Sequence, residues 1–597
     1  MSLAVKDVTE RELVKRFVIP LRLLLRSNEF YLIPVAIMIG VASGAIVTVM
    51  AELAQIAHVL IYSIPIDVRL SAHTRVDPLV ALIAPTLGGL ILGLMEYMRR
   101  RMKISNAVDP IEANALRGGQ LSLRDSIVVS AQTLISNGCG ASVGLEAGYT
   151  QIGAGLSSLI GKFLNLRRND LRLMVGCGAA AAIAGAFGAS ITGAFYACEL
   201  IVGVYSVASA APVLAAALAG GLTAKWLGGA PYSLELMQVD TVGVEQYLAL
   251  LCLAPISGVV GIAVMRSATA FERVFARKWL PIWLRPAVGG LIVGALAIVT
   301  PQVLAAGHGA MVLDLHTHMT IYLITTIVAL KVIACLVSLA SGFRGGLFFA
   351  SLFIGSLIGK LFAAVLLLIS PTFAIDSPVA MLTGMATLGV AIIGGPLTMS
   401  FLVLEMTRNV DVTALVLAGC ILTNICVRFS FGHSFSTWRL HLRGETIRSA
   451  NDVGWLRNLT VLKMMRSDFA AVRGDITIAQ ARAEHALGSR KGIAVLDADG
   501  NYAGLVMLPT LFSSSFDGEA GEAPIRNIAS QRDVVLLPEM NAKTAMAIFD
   551  RAESELLFVV ASPNDRRVMG LLSESFVRRR YAEELDKANS GILGSRS

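Results

Sequence analysis

Apolar residues fall in blocks between positions 30 and 430, and the blocks are of two kinds. Residues 30–61 and 79–97 are continuous and about as long as the roughly 20 apolar residues that cross a bilayer. After a polar interlude at 105–112 the blocks become short, abutting and punctuated by glycine, at 126–135, 147–164, 171–186, 192–208 and 212–227. A second series follows at 244–271, 284–300, 321–339, 347–368, 378–393, 397–406 and 415–429. Sub-spanning helices are tolerated at membrane depth only where their ends line a cavity enclosed by protein. The pattern therefore predicts an all-α polytopic membrane domain over 30–444, preceded by a short amphipathic cytoplasmic helix within 1–29.

The two series are related. The stretch 178–199 lays without gaps on 384–405, sharing the leading glycine, a threonine, a phenylalanine and a closing glutamate, Glu199 or Glu405. Upstream, Ser158-Leu159-Ile160-Gly161-Lys162 recurs as Ser356-Leu357-Ile358-Gly359-Lys360. That register sets the loop 144–148 against 342–346, and Glu146 opposite Arg344. The expectation is an inverted repeat of broken helices, about 30–230 and 240–430, with its site where the halves meet.

From 445 to 597 the composition is that of a soluble protein. Two lobes, 459–512 and 525–580, each carry β-like apolar runs and alanine-rich helical pieces, with 513–522 as linker. This reads as a paired α+β regulatory module, too poor in catalytic groupings to be an enzyme.

Composition agrees with the patterning. The chain is 55% hydrophobic and 15% charged over 597 residues, against about 25% charged in soluble domains. Its seven cysteines sit in apolar segments at irregular spacing, with neither a disulfide framework nor a zinc pattern. No cleavable signal peptide is expected. The net charge of +8 gathers before the first span (Lys6, Arg11, Lys15, Arg16), after the second (Arg99, Arg100, Arg101, Lys103) and after the last (Arg439, Arg443, Arg448). By the positive-inside rule these clusters are cytoplasmic, as are both termini. No aromatic-interleaved basic stretch points to nucleic acid.

Four carboxylates lie in the apolar blocks: Glu52, Glu146, Glu199 and Glu405. They are too few and too scattered for a cation pathway, which argues against a divalent-cation transporter carrying a regulatory tail. Glycine next to a helix start recurs instead. Helix N-termini present unpaired amides and partial positive charge, an anion site that needs no basic side chain. Glu146, inside Gly144-Leu145-Glu146-Ala147-Gly148, would imitate the anion there and compete with it. Glu199 and Glu405 read as helix-end or packing acids, Glu52 as a packing or dimer contact, and Arg344 as a loop charge at the pore mouth.

The order of motifs resembles the CLC family of chloride channels and proton/chloride exchangers across nearly the whole chain. Residues 144–148 resemble the family's Gly-Arg-Glu-Gly-Pro, 345–350 its Gly-Gly-Ile-Phe-Ala-Pro, and 402–407 its penultimate membrane motif. The resemblance implies a homodimer in a lipid bilayer with one pore per subunit, and chloride as substrate. It makes Glu146 the gate and sets Gly144, Leu145, Ala147, Leu347 and Phe348 around the anion. The tail resembles tandem CBS domains. An adenine nucleotide there is left open, because the acid that usually holds a ribose falls near Phe576.

Three departures shape the expectation. Asn106 stands where the family serine touches the anion, and its amide can still donate. Ser436 stands where a tyrosine closes the inner mouth. Leu200 stands where exchangers carry an inner proton-transfer glutamate. The expectation is passive, channel-like conduction of a small inorganic anion across a bacterial inner membrane, with proton-coupled exchange as the alternative.

Overall fold

The computed structural model describes residues 29–104, 107–229, 243–277, 280–369, 375–442 and 459–593. The amphipathic helix expected before residue 29, and Asn106, lie outside these. The chain divides into two compact units, Met1–Asp452 and Val453–Ser597.

The described part of the first unit is helical throughout. Its first repeat comprises α1 (Leu32–Tyr62), α2 (Pro78–Arg101), α3 (Pro110–Leu116), α4 (Leu123–Gly138), α5 (Glu146–Phe163), α6 (Arg168–Phe187), α7 (Ser190–Tyr196) and α8 (Val207–Trp226). The second comprises α9 (Val244–Leu251), α10 (Leu253–Phe275), α11 (Arg285–Val299), α12 (His308–His316), α13 (Ile321–Ser341), α14 (Phe348–Ile369), α15 (Ser377–Ile393), α16 (Pro396–Thr407), α17 (Val410–Ser430) and α18 (Phe435–Leu442). Among the described residues eight helical segments are long and apolar enough to span a bilayer, while α7, α11, α15 and α16 are shorter. Starts are set locally. Asp77 accepts from the amide of Leu79 ahead of Pro78, and Ser122, Thr320 and Asn409 cap α4, α13 and α17.

Small residues let the helices close on one another where lipid offers no hydrophobic drive. A Cβ on Gly44 of α1 would lie 2.3 Å from the carbonyl of Gly220 on α8. The α5–α6 crossing is made by Gly153 and Gly178, and the α14–α15 crossing by Gly355 and Gly384, each Cβ position within 2.4 Å of the opposite carbonyl. This equivalence corrects the sequence register. Helix α5 starts at Glu146 and α14 at Phe348, so Glu146 corresponds to Phe348 and not to Arg344. The Ser-Leu-Ile-Gly-Lys match is one helical turn out, a slip that keeps the same helix face.

In the second unit, strand β1 (Ala471–Arg473) pairs parallel with β2 (Gly492–Leu496), which pairs antiparallel with β3 (Tyr502–Met507). The hairpin β4 (Leu556–Val560) and β5 (Val568–Ser573) repeats the pattern, with Leu536 bridging parallel to Val559. Helices Ile478–Glu484, Ala542–Ala552 and Glu574–Leu593 complete two α+β lobes of the order expected for a CBS pair. The lobes exchange their leading segments, which corrects the boundaries read from sequence. Thr460 pairs with Asn541 and Arg466 with Leu571 of the second lobe, while Pro524 pairs with Thr477 and Ser530 with Leu505 of the first.

Candidate functional site

The two glycine loops meet. Gly144 and Gly346 form an antiparallel bridge, N–H to O at 3.0 Å and 3.2 Å, which sets the starts of α5 and α14 side by side. In front of them is a cavity of about 170 Å³, lined among others by Glu146, Ala147, Leu347, Phe348 and Ser436. Five residues expected at the site are thus brought together from α5, α14 and α18. Thr150, Tyr196 and Arg439 join them as polar lining, and Asp109 and Glu112 of the α3 turn stand at the same cavity.

Two expected residues are placed elsewhere. The N–H of Gly144 is spent on Gly346, so it is not offered to an anion. Gly144 matters instead for what it lacks. A Cβ there would lie 1.8 Å from Glu146 Oε2, so the carboxyl rests in space that only glycine leaves open. The side chain of Leu145 is buried in a cluster with Val47, Met50, Tyr149 and Ile152, away from the cavity. It anchors the turn into α5.

Glu146 is 4% exposed, and its Oε2 has no hydrogen-bond partner. One ring close to it is not among the site residues expected from the sequence. His308, first residue of α12, holds Nε2 3.9 Å from Glu146 Oε1 and stacks on Phe349 with ring centroids 3.6 Å apart. The available signal was a lone histidine between Gly307 and Gly309 at a helix start.

The remaining acids separate by role. Glu199 accepts from the amides of Leu397 (3.1 Å) and Thr398 (2.8 Å) and from the Thr398 hydroxyl (2.6 Å), capping α16. Glu405 does the same for α7, accepting from Ile191 (2.9 Å), Thr192 (2.8 Å) and the Thr192 hydroxyl (2.6 Å). Both are helix-end acids. Glu52 is exposed on α1, and the Arg344 amide donates to Ser136 Oγ. Leu200 lies in a π-helical turn, Ala197–Val202, packed beside Ala113, Leu121 and Ala154.

The chain also matches known proteins. Residues 87–428 match the family model described as voltage gated chloride channel. A Ralstonia nicotianae protein named ClcB-like is 33% identical over 361 residues, covering 60% of this chain and 84% of its own. The fold resembles that of a slow cyanobacterial Cl−/H+ antiporter, TM-score 0.59 at 20% identity, over 69% of this chain and 97% of that one. A eukaryotic CLC transporter, TM-score 0.55 at 16% identity, covers 93% of this chain and 98% of its own. With more than half of its residues inside the family model, the chain belongs to the voltage-gated chloride channel, or CLC, family.

Proposed function

We propose that this protein conducts chloride passively across a bacterial inner membrane, one pore per subunit of a homodimer, with Glu146 as the gate and no enzymatic activity. The observation that carries this reading is the position of the Glu146 carboxyl. It lies over Gly144 at the start of α5, where α5 and α14 both begin at the cavity. Helix starts there favour negative charge, so the carboxylate and the anion compete for one place. Protonation or an outward swing of Glu146 frees it. Leu200 supports passive flow, since a hydrocarbon side chain relays no proton inward.

The test is chloride efflux from proteoliposomes with proton movement followed in parallel. Glu146→Gln should raise flux and abolish its pH dependence, and a chloride gradient should drive no uphill proton movement. Intact pH gating in Glu146→Gln would sink the gate assignment. Stoichiometric proton pumping by the unaltered protein would establish the second reading, proton-coupled exchange, which the Tyr196 and Thr150 hydroxyls beside Glu146 favour.

In the tail, a cleft of about 1040 Å³ is lined by Arg466, Arg490, Lys491 and Arg579, with Asp468, Glu555 and Phe576. This reading gives the cleft an adenine nucleotide, phosphates on the basic groups and the ribose on Asp468 or Glu555. Calorimetry of the full chain with ATP tests it, and no heat of binding would remove it.

A further inference from the structure

We propose that His308 carries protons between the outer aqueous phase and Glu146, so that the gate is protonated from outside. The proposal rests on Glu146 being the gate and names the path by which its proton arrives.

The first observation is a gradient of exposure along one short path. The Glu146 side chain is 5% exposed and that of His308 is 33% exposed, with Nε2 and Oε1 3.9 Å apart. His308 is therefore in contact with both solvent and the buried carboxyl. The imidazole is also held in place from α14, stacked at 3.6 Å on Phe349, the second residue of that helix.

Sidedness follows from topology. Ser71 Oγ accepts from the amides of Gly309 and Ala310, both 3.1 Å, in the first turn of α12. Ser71 lies in the connection between α1 and α2, at the opposite end of α2 from Arg99, Arg100 and Arg101. The positive-inside rule puts that arginine cluster in the cytoplasm, so α12 starts on the outer side.

The groups facing His308 are Glu146 from α5, His58 from α1, Arg69 from the α1–α2 connection and Lys331 from α13. Each but Glu146 is engaged. Lys331 donates to the carbonyls of Gln302, Val303 and Ala305, Arg69 to Gln55 Oε1 at 3.3 Å, and His58 bonds the Asn137 carbonyl at 2.9 Å. Burial, with the nearby Arg69, Lys331 and His58, holds the pKa of the His308 imidazole down at about 3, so it carries a proton only in passing and hands it on to the carboxylate.

In the step itself, a proton from an outer hydronium adds to the imidazole. The imidazolium then gives up its Nε2 proton. That N–H bond breaks as an O–H bond forms at Glu146 Oε1, leaving neutral imidazole and a neutral carboxyl. The reverse transfer restores the gate. Hydrogen bonds form near 2.7–3.2 Å, so a carboxyl swing of about 1 Å closes the gap.

The experiment uses the full-length protein in planar bilayers, with pH stepped on one side at a time. His308→Phe keeps the stack on Phe349, and His308→Ala opens room for free imidazole. The unaltered protein should follow outer pH steps and ignore inner ones. Both variants should respond at least about tenfold more slowly, with outer imidazole restoring the rate in His308→Ala. Folding is checked by combining each variant with Glu146→Gln, which should conduct as Glu146→Gln alone. Response rates equal to the unaltered protein, or a gate that follows inner pH, would overturn the proposal. Persistent pH dependence in Glu146→Gln alone would instead remove the gate reading beneath it.

Discussion

Phe195 and Phe401 stack on one another with ring centroids 4.4 Å apart and planes 22° from parallel. They are matching positions of the two repeats, so the pseudo-two-fold of the membrane unit passes between them. Around this contact the flanking acids are exchanged. Glu199, just after α7, caps the start of α16, and Glu405, near the end of α16, caps the start of α7. A carboxylate at a helix N-terminus meets both unpaired amides and the positive end of the helix dipole. Two costly acids at membrane depth are thereby explained by architecture.

The reciprocal caps predict equal penalties. Glu199→Ala and Glu405→Ala should each destabilise the protein by about 2 kcal/mol, the upper range for loss of an N-terminal cap. Each Gln variant, keeping one acceptor oxygen, should cost less. Thermal unfolding in detergent measures this, and a strongly unequal pair would show that the two ends are not equivalent.

Gly144→Ala should act as a gating mutation. The added Cβ would occupy the space 1.8 Å from Glu146 Oε2, so the carboxyl has to leave its seat. A bias of about 1.4 kcal/mol against the seated form lowers its occupancy about tenfold. Chloride efflux at neutral pH should therefore rise toward that of Glu146→Gln. Unchanged efflux would mean that the seated carboxyl does not block.

Leu200→Glu should introduce a proton carrier on the inner side of the cavity. Tyr196, the residue just before the π-helical turn that holds Leu200, lines the cavity together with Glu146. Under a chloride gradient this variant should move protons uphill where the unaltered protein does not. Absence of coupling in both would place the inner proton barrier elsewhere than Leu200.

Two further substitutions, one at the cavity wall and one expected from the sequence, predict separable effects. Ser436→Tyr adds a ring to the cavity wall beside Phe435 and Arg439, and should lower chloride flux several-fold without altering its pH dependence. Asn106→Ser replaces an amide donor by a hydroxyl and should shift the chloride-to-nitrate permeability ratio. Identical ratios would remove Asn106 from the anion path.

Much was legible in the sequence because membrane burial imposes strong patterns. Block lengths revealed the broken helices, the 178–199 and 384–405 match revealed the repeat, and the glycine loop revealed Glu146. Five of the expected pore residues meet at one cavity because they sit at helix starts, which here follow glycines. The four-residue slip between the loops was not legible, since a helix shifted by one turn presents the same face. Only packing decided that Gly144 gives its amide to Gly346 and its empty Cβ position to the Glu146 carboxyl. The contact between Glu146 and His308, 162 positions later, likewise arises from how the repeats close on each other. Local sequence records what each segment can be; which side chains meet across 200 residues is set by the tertiary fit of the helices.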